Sequence, residues 1–266
     1  MSGTSSVYHR QVHDPLFAAL PAHTRDKFSY CSERIFSQQP AGTISMTGMD
    51  LTDARCFDGI LAPFAAAYPD ADRRAVISMW SLYYFSTLVI PATVFALVLG
   101  MRPPLALDET RIVFDVAKGT PKSFIMSDTP RAGGTTGIHD RMCPVIRGHA
   151  QVLIDFLQGH AGLSPKLLWS NVASYLSWAV EEAGRHVDGR LEAEGRVLLD
   201  EPHLADGSVN PLSGLLCNVE SQGHIHRRRR LCCLRYMLPG VGGCGVLCPV
   251  PEERLARERQ RAAKAL

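Results

Sequence analysis

The sequence lacks an excess of charge of either sign. Its 266 residues contain 28 Lys and Arg against 26 Asp and Glu, a net charge of +2, which is too balanced to indicate binding of nucleic acid over the whole surface. Hydrophobic residues make up 46% and charged residues 20%, which excludes a disordered or fibrous chain. A chain of this length buries about three quarters of its surface on folding, so its core needs no disulfide or metal.

The first fifteen residues lack the basic and apolar regions of a secretory signal, and they lack the Arg-rich character of a transit peptide. We therefore expect a cytosolic, reducing setting. Eight cysteines are present, and half of them fall within the seventeen residues 232–248. In a reducing compartment, clustered cysteines more often indicate metal or redox chemistry than disulfides.

Charge is also missing from residues 75–101, a stretch long enough to cross a bilayer as one helix. Several features argue against a transmembrane span. Pro91 interrupts the middle, hydroxyl side chains are scattered through the stretch, and arginines flank both ends without an orientation bias. We expect instead a pair of helices, broken at Pro91, that are buried in a helical core.

The rest of the chain shows mostly helical patterns. Apolar periodicity predicts helices over 52–68, 145–160, 164–187 and 251–265, the last of them charged. Strands at 111–116 and 122–126, joined by turn residues 118–121, form the one hairpin that the sequence indicates clearly. Residues 130–138 are Gly-rich but lack the Lys-Ser/Thr pair and the preceding strand of a phosphate cradle. We predict an α+β fold with a predominantly helical body, a small hairpin or sheet, and a cysteine-rich C-terminal segment.

The cysteine spacing limits what the four thiols could hold. Cys232 and Cys233 are adjacent, ten residues separate Cys233 from Cys244, and three separate Cys244 from Cys248. Four thiolates bind either one Zn²⁺ or an iron–sulfur cluster. Adjacent cysteines point in different directions, so binding both to a single tetrahedral ion would strain the backbone, whereas a [2Fe–2S] cluster offers two irons. The spacing therefore favours the cluster and leaves zinc as the alternative.

Other candidate ligands fit less well. His224 and His226 lie upstream of the cysteines and outside a Cys-x-His arrangement, so a Rieske cluster is not indicated. They could relay a proton or bind released Fe(II), although surface histidines in a turn are the more common case. The scattered Cys31, Cys56, Cys143 and Cys217 are interpreted as free, mostly buried thiols.

The segment 227–249, with Cys-Cys, ten residues and a close Cys pair, preceded by arginines and followed by Pro249, resembles the C-terminal signature of FhuF-like ferric siderophore reductases. The likeness extends to WSLYYF at 80–85, LLWSNVASYL at 167–176 and NPL at 210–212. The family pattern has two residues between the last two cysteines, whereas this chain has three, Gly245–Leu247.

The resemblance implies a reductase of ferric hydroxamate siderophores with one [2Fe–2S] cluster on Cys232, Cys233, Cys244 and Cys248. It implies a helix-rich body over 1–225 and a cluster-binding segment with a terminal helix over 226–266. The partners would be the ferric siderophore and an electron donor, either a ferredoxin or an NAD(P)H-dependent reductase, with no nucleic acid. The protein would lie in the cytoplasm, in some cases at the inner face of the cytoplasmic membrane.

Two further sets of residues are candidates for contact with substrate or partner. Arg227, Arg228, Arg229, Arg230 and Arg235 could form an electropositive rim around an anionic cluster, or simply a solvated basic turn.

Trp169, Asn171 and Tyr175 recur at helical spacing. Trp169 is the substrate candidate among them, although core aromatics and a buried, hydrogen-bonded amide are the more ordinary interpretation.

Two alternative functions stay open from the sequence. A zinc-stabilised module could contact nucleic acid or membrane through the basic run. A body similar to parts of siderophore synthetases could bind a siderophore without reducing it, although the nucleotide-binding elements of those enzymes are not visible and such a protein would not need the cysteines.

Overall fold

The computed structural model describes Leu20 and residues 22–128, 130–132 and 137–250. The fold is α+β with a predominantly helical body, as predicted. The α-helices of the described chain are α1 (Ala22–Arg25), α2 (Ala54–Ala65), α3 (Arg73–Val98), α4 (Ile138–Cys143), α5 (Val152–Ala161), α6 (Pro165–His186) and α7 (Gly189–Asp200). A π-helical stretch, Pro144–Gln151, joins α4 to α5. The predicted helix at 251–265 and part of the Gly-rich loop lie outside the described residues.

Short strands form small sheets at the side of this body. They are β1 (Ile35–Phe36), β2 (Ser45–Thr47), β3 (Met101–Arg102), β4 (Thr110–Asp115), β5 (Thr120–Met126), β6 (Arg131–Ala132), β7 (Leu216–Ser221) and β8 (His224–Arg229). The largest sheet has the order β1-β5-β4-β2, in which only β1 and β5 run parallel. The pairs β3–β6 and β7–β8 are antiparallel.

Helix α3 is the centre of the core. Asp72 caps its first turn by accepting a hydrogen bond from the Arg74 backbone N–H at 2.8 Å. The helix is apolar on all sides, and its packing partners include α6, α2 and β5. It is the one described helix long and apolar enough to cross a membrane, and 78% of its most apolar 18-residue stretch is buried inside the protein. That burial is typical of a core helix, as expected.

The expected break at Pro91 is wrong. Helix α3 runs without interruption from Arg73 to Val98, with Pro91 inside it. Proline removes one backbone hydrogen bond to the carbonyl four residues earlier, at a cost of about 3 kcal/mol. Both halves of α3 are packed into the same core, so bending the chain at Pro91 would expose more apolar surface than the lost hydrogen bond justifies.

Several predicted elements are confirmed. The hairpin β4–β5 and helix α6 match their predicted positions closely, with Ser164 at the N-cap of α6 and Pro165 in its first turn. Helix α2 is also present within the predicted range 52–68, and its N-cap is Asp53. The Asp53 carboxylate accepts from the backbone N–H groups of Arg55 and Cys56, while the Thr52 hydroxyl donates to the Met49 carbonyl.

The helix predicted over 145–160 is instead two segments of different pitch. The π-helical stretch directs His149 into the core, where it is fully buried. Its Nδ1 donates to the Leu105 carbonyl at 2.7 Å, and its Nε2 accepts from the Tyr84 hydroxyl at 2.6 Å. Periodicity alone does not reveal an inserted residue that serves a buried hydrogen-bonded pair.

A second hairpin, β7–β8, and helix α7 were not predicted. Gln222 and Gly223 form the turn with φ values of 54° and 76°, the left-handed pair that suits a tight hairpin. The run Arg227–Arg230 is therefore not a basic turn, because three of its four residues belong to strand β8. His224 and His226 lie on the same strand. The sequence signal was weak because arginine and histidine are uncommon strand formers and Gln-Gly is not a typical hairpin turn.

Candidate metal and redox site

The four clustered cysteines follow directly after strand β8. Helix α6 and β7 pack against this strand, which fixes where the cysteine segment begins. The Ser78 hydroxyl of α3 then donates to the backbone carbonyl of Cys233 at 2.8 Å inside the core. The segment is thereby attached to the central helix at the same residue whose side chain is most deeply buried among the four cysteines.

Two of the four thiols lie close together. The sulfur atoms of Cys233 and Cys244 are 3.5 Å apart. Burial raises the pKa of the Cys232 thiol, and negative charge on Cys233 or Cys248 would raise it further. Among the described residues, no three potential ligands are near enough together to form a complete metal site.

Backbone N–H groups point at the first two sulfurs. The Leu234 N–H donates to Cys232 Sγ at 3.3 Å, and the Arg235 N–H donates to the Cys233 thiolate and lowers its pKa. Leu234 has a φ of 62°, a left-handed conformation that is unusual for a residue other than glycine. This local turn directs both amides back toward the cysteines and thereby favours negative charge on sulfur.

The extra residue between the last two cysteines is accommodated in a short turn. Gly245–Leu247 form a single 3₁₀ turn that begins at Cys244 and ends at Cys248. Gly245 has a φ of 58°, a left-handed conformation that glycine adopts with less strain than other residues. The three-residue spacing thus gives a compact loop between Cys244 and Cys248.

Arg229 is the central charged residue of the site. Its side chain is buried, with the residue only 5% exposed. One guanidinium nitrogen donates to Cys244 Sγ at 2.8 Å, and another donates to the Asn171 Oδ1 at 3.3 Å. No carboxylate of the described residues pairs with it. A buried arginine without a carboxylate is costly, so negative charge on the sulfurs is its natural counterpart.

The other predicted arginines occupy different surroundings. Arg227 forms an ion pair with Asp200 of α7, and the exposed Arg230 donates to the Leu216 carbonyl. Arg228 is half-buried, and Arg235 lines a cleft beside Cys244. Within the described chain, the Nε atoms of Arg227, Arg228, Arg229 and Arg235 are buried without a hydrogen-bond partner. Arg229 and Arg235 therefore place unused N–H donors close to the thiols.

The surroundings shift the pKa values of the two closest thiols, Cys233 and Cys244, in opposite directions. The hydrogen bond from Cys244 is the main cause that lowers the pKa of Cys233, helped by the positive charges of Arg229 and Arg235. The same hydrogen bond, together with burial, raises the pKa of Cys244. A thiolate on Cys233 is thus stabilised by a thiol on Cys244, and a cation that displaces this one proton would bind both sulfurs.

Asn171 connects the site to the core. Its amide nitrogen donates to the Ser81 hydroxyl at 3.0 Å and lies 3.4 Å from the Ser78 carbonyl, while its oxygen accepts from Arg229. The amide is fully buried and hydrogen-bonded, as the ordinary interpretation expected. Trp169 is 4% exposed and belongs to the hydrophobic core. Tyr175 is half-buried and lines the cleft beside Cys244.

The donor set fits a metal–sulfur group. It offers sulfur ligands, amide N–H groups directed at sulfur, and a buried guanidinium without a carboxylate. These features stabilise thiolates and their metal complexes alike. Sulfur donors of this kind bind either iron or zinc.

Thiols beside cationic and N–H donors, joined to a helical core, are typical of a metal-binding or redox protein. Comparison with known families makes the class specific. A family described as "Ferric iron reductase FhuF-like transporter" matches residues 78–224, which is more than half of the chain. The chain belongs to this FhuF-like family of ferric iron reductases and is an oxidoreductase. The matched region ends before Cys232, so the ligand assignment depends on the cysteine segment itself.

A curated relative gives the same result. The chain is 26% identical over 256 residues to the "Ferric siderophore reductase" of Escherichia coli (strain K12). The match covers 89% of this chain and 92% of the relative. The likeness therefore extends over nearly the full length of both proteins.

Proposed function

We propose that the protein reduces the Fe(III) of hydroxamate siderophores and that it carries one [2Fe–2S] cluster on Cys232, Cys233, Cys244 and Cys248. The observation that carries this proposal is the pair of thiols Cys233 and Cys244 beside the buried Arg229. Family membership and the similarity to a ferric siderophore reductase support the substrate class.

The chemistry of iron release explains why a single electron suffices. Siderophores hold Fe(III) through hard oxygen atoms and bind Fe(II) far more weakly. One electron from a ferredoxin or an NAD(P)H-dependent reductase reduces chelated Fe(III) to Fe(II), and no bond within the siderophore breaks. Fe(II) then leaves the chelate in the cytoplasm. When bound, an iron–sulfur cluster supplies the one-electron carrier that this reaction needs.

The residues of the chain have separate roles in this proposal. The cysteines hold the cluster, and the Leu234 and Arg235 amides donate hydrogen bonds to the sulfurs. The buried Arg229 neutralises part of the negative charge beside Cys244, which favours the added electron. Ser78 and Asn171 hold the segment and Arg229 against α3 and α6.

We further propose a functional division into a helix-rich body, residues 1–225, and a cluster-binding segment, residues 226–266. The division separates the proposed cluster chemistry from the rest of the chain. It is not a boundary between two separately packed units, because β7 and β8 pair across it. Any membrane association would be peripheral, since α3 is buried within the body.

Metal analysis tests the proposal. We expect protein purified or reconstituted under argon to contain two irons and two acid-labile sulfides per chain, the stoichiometry of the named cluster. It should show an EPR signal after reduction and reduce a ferric hydroxamate. One zinc per chain without labile sulfide would contradict the cluster and favour the zinc alternative.

Serine variants test the ligands. Replacing any one of Cys232, Cys233, Cys244 or Cys248 should abolish assembly of a normal cluster, because serine removes a thiolate ligand. Cys217→Ser is the matched control, since Cys217 is a half-buried free cysteine on the neighbouring strand β7. Full colour in the Cys233→Ser variant would refute the ligand set.

A further inference from the structure

A cleft opens beside the cysteine site. It has a volume of about 290 Å³, and its walls come from α3, α6, strand β8 and the cysteine segment. Cys244 lines the cleft together with Tyr175, Trp178, Arg229 and Arg235. A molecule seated here would therefore lie against one of the proposed cluster ligands.

The walls of the cleft are apolar and cationic. Leu82, Ile90 and Leu247 contribute hydrocarbon surface, and the two arginines contribute positive charge. None of the described residues that line the cleft carries a carboxylate. Arg229 is engaged with Cys244 and Asn171, whereas the half-buried side chain of Arg235 forms no hydrogen bond or ion pair with the described residues. Arg235 is thus the cation available to a ligand.

Trp178 provides an exposed aromatic surface at the same place. Its side chain is 41% exposed although it is large and apolar. Its ring centroid lies 6.3 Å from that of Tyr30, so it is supported on one side. An exposed tryptophan next to an unpaired arginine is typical of a surface that binds a partly apolar, partly charged molecule.

We infer that this cleft binds one face of an anionic ferric chelate, with Trp178 against its hydrocarbon and Arg235 against a negatively charged oxygen. The inference rests on the proposed function, because that function supplies a ferric chelate as substrate. The volume is at the lower end for a ligand pocket, so the cleft takes one face of the chelate and leaves the rest in solvent. Reduction adds one electron to the iron, supplied by the ferredoxin or NAD(P)H-dependent reductase. The contacts between the chelate and Arg235 are non-covalent.

Redox-inert gallium(III) chelates test binding without reduction. The probes are the Ga(III) complex of a citrate-centred dihydroxamate, which is anionic, and the Ga(III) complex of a neutral trihydroxamate. Titration calorimetry and tryptophan fluorescence of the full chain, with its metal site loaded, measure the dissociation constants. We expect tighter binding of the anionic chelate and quenching of fluorescence, because Trp178 is the exposed tryptophan of the described chain.

Two variants locate the binding site. Arg235→Gln should raise the Kd of the anionic chelate about tenfold or more and change that of the neutral chelate much less, because one charge-assisted hydrogen bond is lost. Trp178→Leu should weaken both chelates and remove the quenching. Arg190→Gln is the control, because Arg190 lies on α7 and pairs with Asp188, outside the cleft.

Unchanged Kd values in both Arg235→Gln and Trp178→Leu would contradict binding of the chelate in this cleft. Equal weakening of both chelates by Arg235→Gln would overturn the assignment to anionic ligands. Visible absorption of each variant is compared with that of the wild type, so that loss of the cluster is not mistaken for loss of binding. Failure of the proposed function appears separately, as protein without labile sulfide or without ferric reduction.

Discussion

Arg229 is held by two contacts of different kinds, one to Cys244 Sγ and one to the Asn171 amide. The first places a positive charge on the proposed cluster, and the second fixes the direction of the guanidinium. An added electron on a metal–sulfur group is stabilised by such a charge, which raises the reduction potential. In the proposed function, Arg229 is therefore a positioning and tuning residue.

Replacing Arg229 by Met should make the potential of the cluster more negative. A charge-assisted hydrogen bond is worth about 1.5–3 kcal/mol, which corresponds to a shift on the order of 60–130 mV for one electron. Arg229→Lys should restore part of the shift, because the charge stays near Cys244 while the contact with Asn171 is lost. Potentiometric EPR titration measures both.

Arg230→Gln is the matched control for this measurement, since the neighbouring Arg230 is exposed and bonds to a backbone carbonyl. Its potential should equal that of the wild type within the error of the titration. Equal shifts in the Arg229 and Arg230 variants would mean that net charge near the site matters and the buried contact does not.

His149 makes the stability of the fold depend on pH. Burial lowers its pKa from 6.5 to about 4, because the core provides no water to solvate the charged imidazolium, although the hydrogen bond to the Leu105 carbonyl acts in the opposite direction. The unfolded chain binds the proton more readily than the folded chain does. The contribution of His149 to the free energy of unfolding is therefore complete above pH 6.5 and is lost as the pH falls toward 4. The loss from this group is about 3 kcal/mol.

Urea unfolding of His149→Asn at several pH values checks this expectation. The variant is less stable at neutral pH, but its free energy of unfolding should change less between pH 6.5 and 4 than that of the wild type. Parallel profiles would show that other groups cause the acid sensitivity.

At the scale of residues, the sequence located the cysteines but not their surroundings. The spacing of Cys232, Cys233, Cys244 and Cys248 is local and can be read directly. The burial of Arg229 depends on α6 and β8 packing together, which involves residues 58 positions apart. A run of four arginines ordinarily lies in solvent, so nothing local distinguishes the buried one from its exposed neighbour Arg230.

Helices α6 and α7 cross at a position where only glycine fits. A Cβ on Gly195 of α7 would lie 2.5 Å from Val180 Cγ2 and 2.8 Å from Val180 Cγ1. Gly195→Ala should therefore destabilise the protein by about 1–3 kcal/mol, because the branched Val180 side chain has no room to move within the core. Chemical denaturation measures the change.

Gly159→Ala is the opposite case and serves as the control. Gly159 lies within α5, and a Cβ there would meet no atom within 4 Å. Alanine should stabilise this helix by about 0.5–1 kcal/mol, since it loses less conformational entropy than glycine on folding. Equal effects at Gly159 and Gly195 would contradict the close crossing of α6 and α7.

At the scale of elements, the sequence predicted a helix or a hairpin correctly where one apolar helix face or one set of turn residues determines the structure. Helix α6 has a good start signal and an apolar face, and hairpin β4–β5 has clear turn residues. Helix α3 was harder because it is apolar on all sides, so periodicity gave no information about the effect of Pro91. Hairpin β7–β8 was hidden because its second strand is rich in arginine and histidine.

Across the whole molecule, the core and the cysteine segment depend on different interactions. Helices α3 and α6 pack closely in an extensive apolar core. Within 230–250 the structure has two 3₁₀ turns and no strand or longer helix. Buried residues Cys233 and Leu238 and the Ser78 hydrogen bond join this segment to the core. The body should therefore fold without metal, whereas the segment should gain much of its order from metal binding.

Hydrogen exchange of the metal-free and loaded forms tests this division. Amides of 232–248 should exchange at least about tenfold more slowly after loading, because ligand binding adds free energy to the opening of this segment. Amides of α3 and α5 should change little, and they provide the internal control. A metal-free form that loses protection throughout α3 would show that the site is required for the core. Unchanged exchange in 232–248 after confirmed loading would place the metal elsewhere in the chain.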